Sequence, residues 1–407
     1  MTKFPEDFFW GAATSAHQVE GNNTNSDWWE WEQKGRLKEA SGLACRSFEL
    51  FREDFDIARQ LNHNAHRLSV EWSRIEPEEG VFSQEAIRHY REVILALREH
   101  SLEPVVTLHH FTNPLWLSQK GGWAHASSRK YFLRYCEKIV GALADKVRFW
   151  ITINEPLVYA YHSYILGVWP PQEKSVLKFL SVIDNFAKSH IRAYHLIRSI
   201  YKEKNIPPPS ISVAQNLQAF VPCSPTLRNK LGYYLRNKFY NLYFIERLLN
   251  KKALDFIGIN YYGRNLIDAG SWGIGDIFFK TCQHNHYPVK KNSLGWDIYP
   301  EGLYELIMQF KKYGLPIMIT ENGICTDDDS LRWEYIRSHL ENILRSMQDG
   351  AKVNGYFYWS LLDNFEWDKG FTPRFGLVEV DYSTFGRNVR NSAKEFSEVC
   401  KTGVLKR

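Results

Sequence analysis

Short apolar runs recur along the chain, each closing on polar or aromatic residues. They start at Phe8 (FFWGAA), His66 (HRLSV), Glu103 (EPVVTLHH), Val147 (VRFWITINEP), Ser210 (SISVAQN), Leu254 (LDFIGINYY), Leu315 (LPIMITEN) and Gly355 (GYFYWSLLDN). Their content of Val, Ile, Phe, Tyr and Trp predicts eight strands. Near-continuous hydrophobicity, rather than alternation, predicts that both faces of these strands are covered. Between the runs the period becomes helical. In QEAIRHYREVILALREH, Ile87, Tyr90, Ile94 and Leu97 share a stripe behind a Ser83 N-cap; LRWEYIRSHLENILRSM repeats the pattern with Trp333, Ile336, Leu340, Ile343 and Met347. Strands alternating with helices, with no Pro/Gly/Ser-rich linker between halves, predict an α/β fold. The expectation is a single (β/α)8 TIM barrel forming one catalytic domain over residues 1–407, with a doubly wound open sheet as the alternative. The stretch 264–295 reads as a long loop after the sixth strand.

Composition narrows the picture. For 407 residues, 44% of them hydrophobic, size scaling gives roughly 16,000 Å² of folded surface against roughly 69,000 Å² unfolded, which is ample for one large core and excludes a disordered chain. Lys+Arg 51 against Asp+Glu 46 is spread without long like-charge blocks, so neither a nucleic-acid partner nor a membrane role is expected. Cysteines at 45, 136, 223, 282, 325 and 400 show no short paired spacing. That argues against a zinc site or a dense disulfide framework and favours a reducing compartment. The apolar run from Phe8 to Ala13 is too short and wrongly flanked for a signal peptide, and the expectation is a soluble cytoplasmic protein.

In a barrel, reacting groups come from the carboxyl ends of the strands, whose loops converge on one face. Those ends supply Gln18 and Glu20, Arg67, His110, Asn154 and Glu155, Tyr262, Glu321, and the stretch from Trp359 to Glu366. A glutamate at a strand end is often only a solvated loop residue. Two of them, in T-I-N-E-P and I-T-E-N-G on opposite sides of one mouth, suit glycosidic bond cleavage. One must be protonated to release the leaving oxygen, while the other must be charged to attack or stabilise an oxocarbenium-like centre. Gln, His and Asn supply groups for sugar hydroxyls, and tryptophan faces can stack on a pyranose.

Nine strings in order run nearly end to end: FPEDFFWGAATSAHQVEG, RLSVEWSRIEP, TLHHFTNPLWL, TINEP, DFIGINYY, GWDIYPEGL, ITENG, GYFYWSLLDNFEW and RFGLVEVDY. In these the chain resembles glycoside hydrolase family 1, the retaining β-glucosidases. The resemblance implies Glu155 as acid/base and Glu321 as nucleophile. It implies Gln18, His110, Asn154 and Glu366 as hydrogen-bonding partners of the sugar, and Trp359 and Trp367 as aromatics against it. Arg67 and Tyr262 match the pair that contacts the nucleophile, and Trp296 an aromatic on the leaving-group side. Retention needs the two carboxyl groups about 5–5.5 Å apart. Arg67 and the Tyr262 hydroxyl would favour the Glu321 anion, while burial and the Glu321 charge would raise the pKa of Glu155. The family's phospho-glycosidases carry Ser where this chain has Glu366, so an unphosphorylated glycone is expected: glucose, with galactose or fucose tolerated. The implied partner is a small β-glycoside or oligosaccharide, with no cofactor and no metal.

Other readings remain beside this one. His63, His66, His109 and His110 suggest a metal cluster, but strand alternation turns 109 and 110 to opposite faces. His66 replaces the aromatic usual before the arginine. The tryptophans at 28–31 read as packing residues, Asn22-Asn23-Thr24 as an unused glycosylation sequon, and Gly273-x-Gly275 lacks the rest of a dinucleotide fingerprint. A non-catalytic glycan-binding barrel would be altered at one of the two glutamates. A transglycosidase would share the same glycosyl-enzyme, and the motifs do not separate it from a hydrolase. The chain is shorter than typical members around Trp169 to Lys188 and after Gly323, which predicts a more open leaving-group site. The oligomeric state has no sequence signal.

Overall fold

The computed structural model describes residues 3–269, 281–282 and 289–405. Eight parallel strands close into a barrel in chain order: β1 (Phe9–Ala13), β2 (Ala65–Ser69), β3 (Glu103–Thr107), β4 (Phe149–Asn154), β5 (Ser210–Pro222), β6 (Ile257–Ile267), β7 (Ile317–Asn322) and β8 (Val353–Trp359). Closure is made where β1 pairs with β8, from Phe9 opposite Gly355 to Ala13 opposite Trp359. Each predicted apolar run becomes one of these strands. The closed order excludes the doubly wound alternative.

The near-continuous hydrophobicity serves two separate cores. Ala13, Ala65, Val105, Phe149, Ile151, Ala214, Met318, Phe357 and Trp359 fill the barrel interior. Their strand neighbours Trp150, Ile211, Val213, Ile257, Ile317 and Tyr356 pack outward against the helices. The two-residue period of a strand divides the apolar residues between these layers. The folded surface of 16664 Å² matches the size-scaling expectation.

The helix Gln84–Glu99 is capped as expected, with Ser83 Oγ accepting from Ala86 N at 3.1 Å. Its buried stripe includes Tyr90, Val93, Ile94 and Leu97, with Ile87 at the edge. The helix Asp329–Gln348 buries Ile336, Leu340 and Ile343 as expected, but Tyr335 and Leu344 replace Trp333 and Met347, which are half-buried. The stripe facing a sheet is wider than one residue per turn, so a count of one per turn misplaces its edges.

Three features differ from the sequence reading. β6 continues to Ile267 beside an extended β5, with Pro222 opposite Ile267, so the loop expected from 264 starts later. Residues 270–280 and 283–288, with Gly273-x-Gly275, lie outside the described residues. An antiparallel hairpin, β9 (Val378–Asp381) and β10 (Gly386–Val389), comes after the barrel and has no counterpart among the predicted elements. Cys223 and Cys282, 59 residues apart, form a disulfide joining the segments after β5 and β6; at that separation no spacing pattern marks a pair. Among the described residues no helix is long and apolar enough to cross a membrane.

Two strands carry an extra residue near their carboxyl ends. In β4 the register to β5 shifts between Ile151 and Asn154, and in β7 the registers to both neighbours shift beyond Ile319. A β-bulge breaks the alternation and re-aims the side chains next to it; here Glu155 follows the one in β4 and Glu321 lies within the irregular stretch of β7. Just beyond, Gly323 lies against the backbone of β8. A Cβ there would meet the Trp359 carbonyl oxygen at 1.9 Å. Gly141, inside the helix Ser128–Leu143, has open space around an added Cβ. Two alanine substitutions should therefore act with opposite signs in urea unfolding. Gly323→Ala is expected to destabilise by about 1–3 kcal/mol through overpacking. Gly141→Ala is expected to stabilise by up to about 1 kcal/mol through helix propensity.

Candidate active site

A cavity of about 1100 Å³ opens at the carboxyl ends of the strands, lined at its base by Gln18, His110, Asn154, Glu155, Tyr262, Glu321, Trp359, Glu366 and Trp367. All nine come from the strand-end reading or the resemblance, and one pocket collects them. Trp296 lines the same cavity nearer the opening and is 43% exposed.

Arg67 organises the floor. Fully buried on β2, it donates to Glu321 Oε1, to the Thr320 carbonyl at 3.0 Å, to Asn154 Oδ1 at 2.7 Å and to Thr107 Oγ1 at 3.3 Å. The Tyr262 hydroxyl donates to Glu321 Oε2 at 2.5 Å. Burial and the neighbouring Glu321 charge push the Tyr262 pKa up, so the phenol keeps its proton and remains a donor. Both Glu321 oxygens thus receive donors.

Glu155 is held differently. It stands at the start of the short helix Pro156–Tyr161 in a left-handed conformation, φ 43°. Its Oε1 accepts from Asn260 Nδ2 at 2.8 Å and from Asn216 Nδ2 at 3.1 Å. Thr320 Oγ1 donates to Asn260 Oδ1 at 2.7 Å, and the Tyr240 hydroxyl to Asn216 Oδ1 at 2.8 Å, so both amides are oriented with nitrogen toward the carboxylate. Burial, followed by repulsion from Glu321, raises the Glu155 pKa to about 8; the two amide donors and Arg67 oppose the shift.

Glu366 completes a trio of acidic groups. Gln18 Nε2 donates to its Oε2 at 3.2 Å and also reaches Asn364 Oδ1 and the Phe365 carbonyl. Burial, then the charges of Glu321 and Glu155, raise its pKa to about 8. His110 Nε2 lies 3.2 Å from Asn154 Nδ2. Burial, with Arg67 nearby, pulls the His110 pKa down, leaving a neutral imidazole that can accept. Its ring is stacked 6.0 Å from Trp359 and 6.1 Å from Trp367.

The neighbouring histidines and tryptophans pack around this pocket. His109 faces away from His110, toward Asn113 and Trp123. His66 is buried between Thr14 and the Phe55 ring. Trp28 is a packing residue whose ring lies 4.7 Å from that of Trp367. Among the described residues, no group of three or more His, Cys, Asp or Glu is placed to hold a metal ion.

Comparison with known proteins agrees with this geometry. The profile described as "Glycosyl hydrolase family 1" matches residues 1–250 and 246–404. The chain belongs to glycosyl hydrolase family 1. It is similar to the solved beta-glycosidase from Pyrococcus horikoshii, at 39% identity and TM-score 0.94, covering 100% of this chain and 96% of that one. It is also similar to a beta-glucosidase from Thermotoga maritima solved in complex with glucoimidazole, at 30% identity and TM-score 0.91, with all of both chains covered. A 6-phospho-beta-galactosidase from Clostridium acetobutylicum is 30% identical over 98% of this chain and 97% of its own.

As a family 1 enzyme the protein is an O-glycoside hydrolase. The sequence reading missed Asn216, Asn260, Thr320 and Tyr240. Asn260 and Asn216 were visible as polar residues within or closing apolar strands (FIGINYY, SVAQN), a position that normally needs a partner. Tyr240, in a helical segment, carried no signal. The opposing influences on Glu155 give signed predictions, read by ¹³C NMR titration of side-chain-labelled glutamate. Glu321→Gln removes a like charge and should move the Glu155 titration down from about 8. Asn260→Ala removes a donor that favours the anion and should move it up.

Proposed function

We propose that this protein is a retaining β-glucosidase that hydrolyses small, unphosphorylated β-D-glucosides through a covalent glycosyl-enzyme. The observation that carries the reading is the unequal support of two carboxyl groups in one buried pocket. Glu321 has a guanidinium on one oxygen and a phenol on the other, while Glu155 has only amide donors and a pKa of about 8. A charged nucleophile and a protonated acid is the pairing that a two-step displacement requires.

In the first step Glu321 attacks the anomeric carbon while Glu155 gives its proton to the leaving oxygen. Two amides occupy Glu155 Oε1, so Oε2 is the oxygen left to carry that proton. Ester formation removes the negative charge of Glu321 and with it part of what raised the Glu155 pKa. Glu155 then takes a proton from water, and hydroxide attack releases the sugar with retained configuration. Asn154 Oδ1 is committed to Arg67 and Asn260, and its Nδ2 lies 3.2 Å from His110 Nε2, which leaves one amide hydrogen for the sugar 2-hydroxyl. Trp359 and Trp367 provide apolar faces, and Trp296 flanks the leaving group.

Glu366 supports an unphosphorylated glycone. A 6-phosphate would enter a pocket already holding three carboxyl groups, and Lys369 near the opening is paired with Asp368 at 2.6 Å. One carboxylate can serve either 4-epimer, so galactose and fucose are tolerated in this reading. The whole chain is read as one catalytic domain; Phe4 N donates to the Gly403 carbonyl at 2.7 Å, tying the two ends together. A cytoplasmic setting is supported by four unpaired cysteines and opposed by the Cys223–Cys282 bond.

The test is a panel of aryl β-glycosides. Glu321→Gly should abolish hydrolysis of the β-glucoside, and added azide should restore turnover with release of the inverted α-glucosyl azide. Glu155→Ala should lower turnover by about 10²–10⁴-fold on poor leaving groups and much less on an activated phenol. No azide product from either variant would sink the assignment.

A further inference from the structure

Tyr262 stands where the sheet stops holding it. In the pairing of β5 with β6 the register passes from Leu217 opposite Tyr261 to Ala219 opposite Arg264, and in the pairing of β6 with β7 it ends at Tyr261 opposite Asn322. Neither ladder includes Tyr262, so backbone pairing does not set the reach of its hydroxyl to Glu321 Oε2, at 2.5 Å. Side chains take over. Asn322, directly after Glu321 and fully buried, donates from Nδ2 to the Tyr261 carbonyl at 2.7 Å and to the Tyr335 hydroxyl at 2.9 Å. The Tyr335 hydroxyl in turn donates to the Tyr262 carbonyl at 3.3 Å. One hydroxyl therefore joins the residue after Glu321 to the residue whose phenol donates to Glu321.

The surroundings of Tyr335 hold that link still. It lies buried on the helix Asp329–Gln348, and its ring centroid is 3.8 Å from that of His339. The Tyr356 hydroxyl donates to Asn322 Oδ1 at 2.9 Å, which turns the amide nitrogen toward Tyr335. Tyr335 has a single proton to give, and with Asn322 donating to it the Tyr262 carbonyl is the acceptor. Burial pushes the Tyr335 pKa well up, so the phenol keeps that proton. The cavity lining includes neither Tyr335 nor Asn322, so their effect on the reaction passes through their neighbours.

We infer that Tyr335 is a positioning residue for the second step of the reaction, acting through Tyr262 on the departure of Glu321 from the sugar. The inference rests on the reading of Glu321 as nucleophile. In that step the bond between C1 and the Glu321 oxygen breaks, and its electron pair returns to the carboxylate. The oxygen of water bonds to C1, and the proton of that water passes to Glu155. Negative charge therefore develops on Glu321 as the ester opens, and a phenol already aimed at the carboxylate stabilises it. Without the Tyr335 hydroxyl, the Tyr262 carbonyl loses this donor and a residue outside both ladders is free to shift. Its phenol then no longer meets the departing carboxylate at a fixed distance, and such misplacement slows a reaction even when the displaced group is chemically intact.

The experiment traps the ester with a 2-deoxy-2-fluoro-β-D-glucoside of an activated phenol, removes excess reagent and follows the return of activity. Peptide mass spectrometry of the trapped enzyme locates the ester. The rate constant of return counts trapped sites only, so a smaller folded fraction in a variant does not alter it. Tyr335→Phe is expected to slow the return about three- to tenfold, the scale of one buried hydrogen bond. In a Tyr262→Phe background, which has no phenol left to position, the same substitution should change the rate by less than about twofold. Tyr356→Phe takes a buried hydroxyl from the same Asn322 amide without a bond to Tyr262, and it should stay within about twofold of the parent. An unchanged rate in Tyr335→Phe, with the ester on Glu321, overturns the inference and leaves the β-glucosidase reading intact. Equal slowing with and without the Tyr262 phenol also overturns it, because Tyr335 would then support the pocket as a whole. The same holds if Tyr356→Phe slows the return as much as Tyr335→Phe does. An ester on another residue, or none at all, overturns both readings.

Discussion

The site is organised by a shortage of positive charge. Glu155, Glu321 and Glu366 face one buried cavity, and Arg67 is the guanidinium that reaches its floor, bound to Glu321. Taking an ion out of water costs several kcal/mol even after relaxation, so a buried carboxylate persists as an anion only with strong compensation. Arg67 and Tyr262 give that compensation to Glu321. Amide donors alone serve the other two, and both respond in the same direction, to a pKa of about 8. The pocket therefore sets one carboxyl group against a guanidinium and leaves two that hold their protons more tightly than an ordinary carboxylic acid. The division of labour between Glu155 and Glu321 is set by where the guanidinium is.

That placement is a property of the barrel. Arg67 lies on β2, two residues after Ala65 of the interior layer, and its reach spans Thr107 on β3, Asn154 on β4 and Thr320 on β7. A single side chain ties strands far apart in sequence because closure brings their carboxyl ends together. The bulges in β4 and β7 depart from ideal pairing at the two acidic residues, where the interior apolar layer gives way to the pocket. Gly323 then allows the end of β7 to touch the Trp359 carbonyl, which fixes the glutamate relative to the tryptophan that lines the same cavity.

Much of this was legible in the chain. Eight runs without alternation became eight strands, because burial on both faces leaves no polar face to write into the pattern. Of the site residues that the nine strings supplied, all but Arg67 line one cavity, and Arg67 reaches it through Glu321. What stayed hidden depends on contacts that no local pattern encodes. Asn260 could be seen as a polar residue within a strand, but its partner Thr320 lies 60 residues away and had no mark of its own. Tyr240 reaches Asn216 from a helical segment whose position is set by packing. The Cys223–Cys282 bond arises because β5 and β6 run on side by side, an extension that looks like loop in the sequence because residues such as Arg264 and Asn265 are polar. They are polar because they border the mouth, where one side of each strand meets solvent.

The two acids near pH 8 are not equivalent once a sugar is considered. Glu155 must keep its proton until the glycosidic bond breaks, so a neutral leaving oxygen beside it does nothing to favour its anion. Glu366, in the proposed reading, meets two sugar hydroxyls. Each can donate to it, and donors to a carboxylate favour the charged form. The incoming sugar then does for Glu366 what Arg67 does for Glu321, and binding is coupled to release of the Glu366 proton. The new charge adds to the repulsion on Glu155 and strengthens its hold on its proton until the acid is needed. Gln18 ties Glu366 to the barrel wall through three acceptors at once, so this charge develops in a fixed position. A serine there, as in the phospho-glycosidases that the family resemblance brings in, could not take part in that coupling, because it has no proton to release in this range.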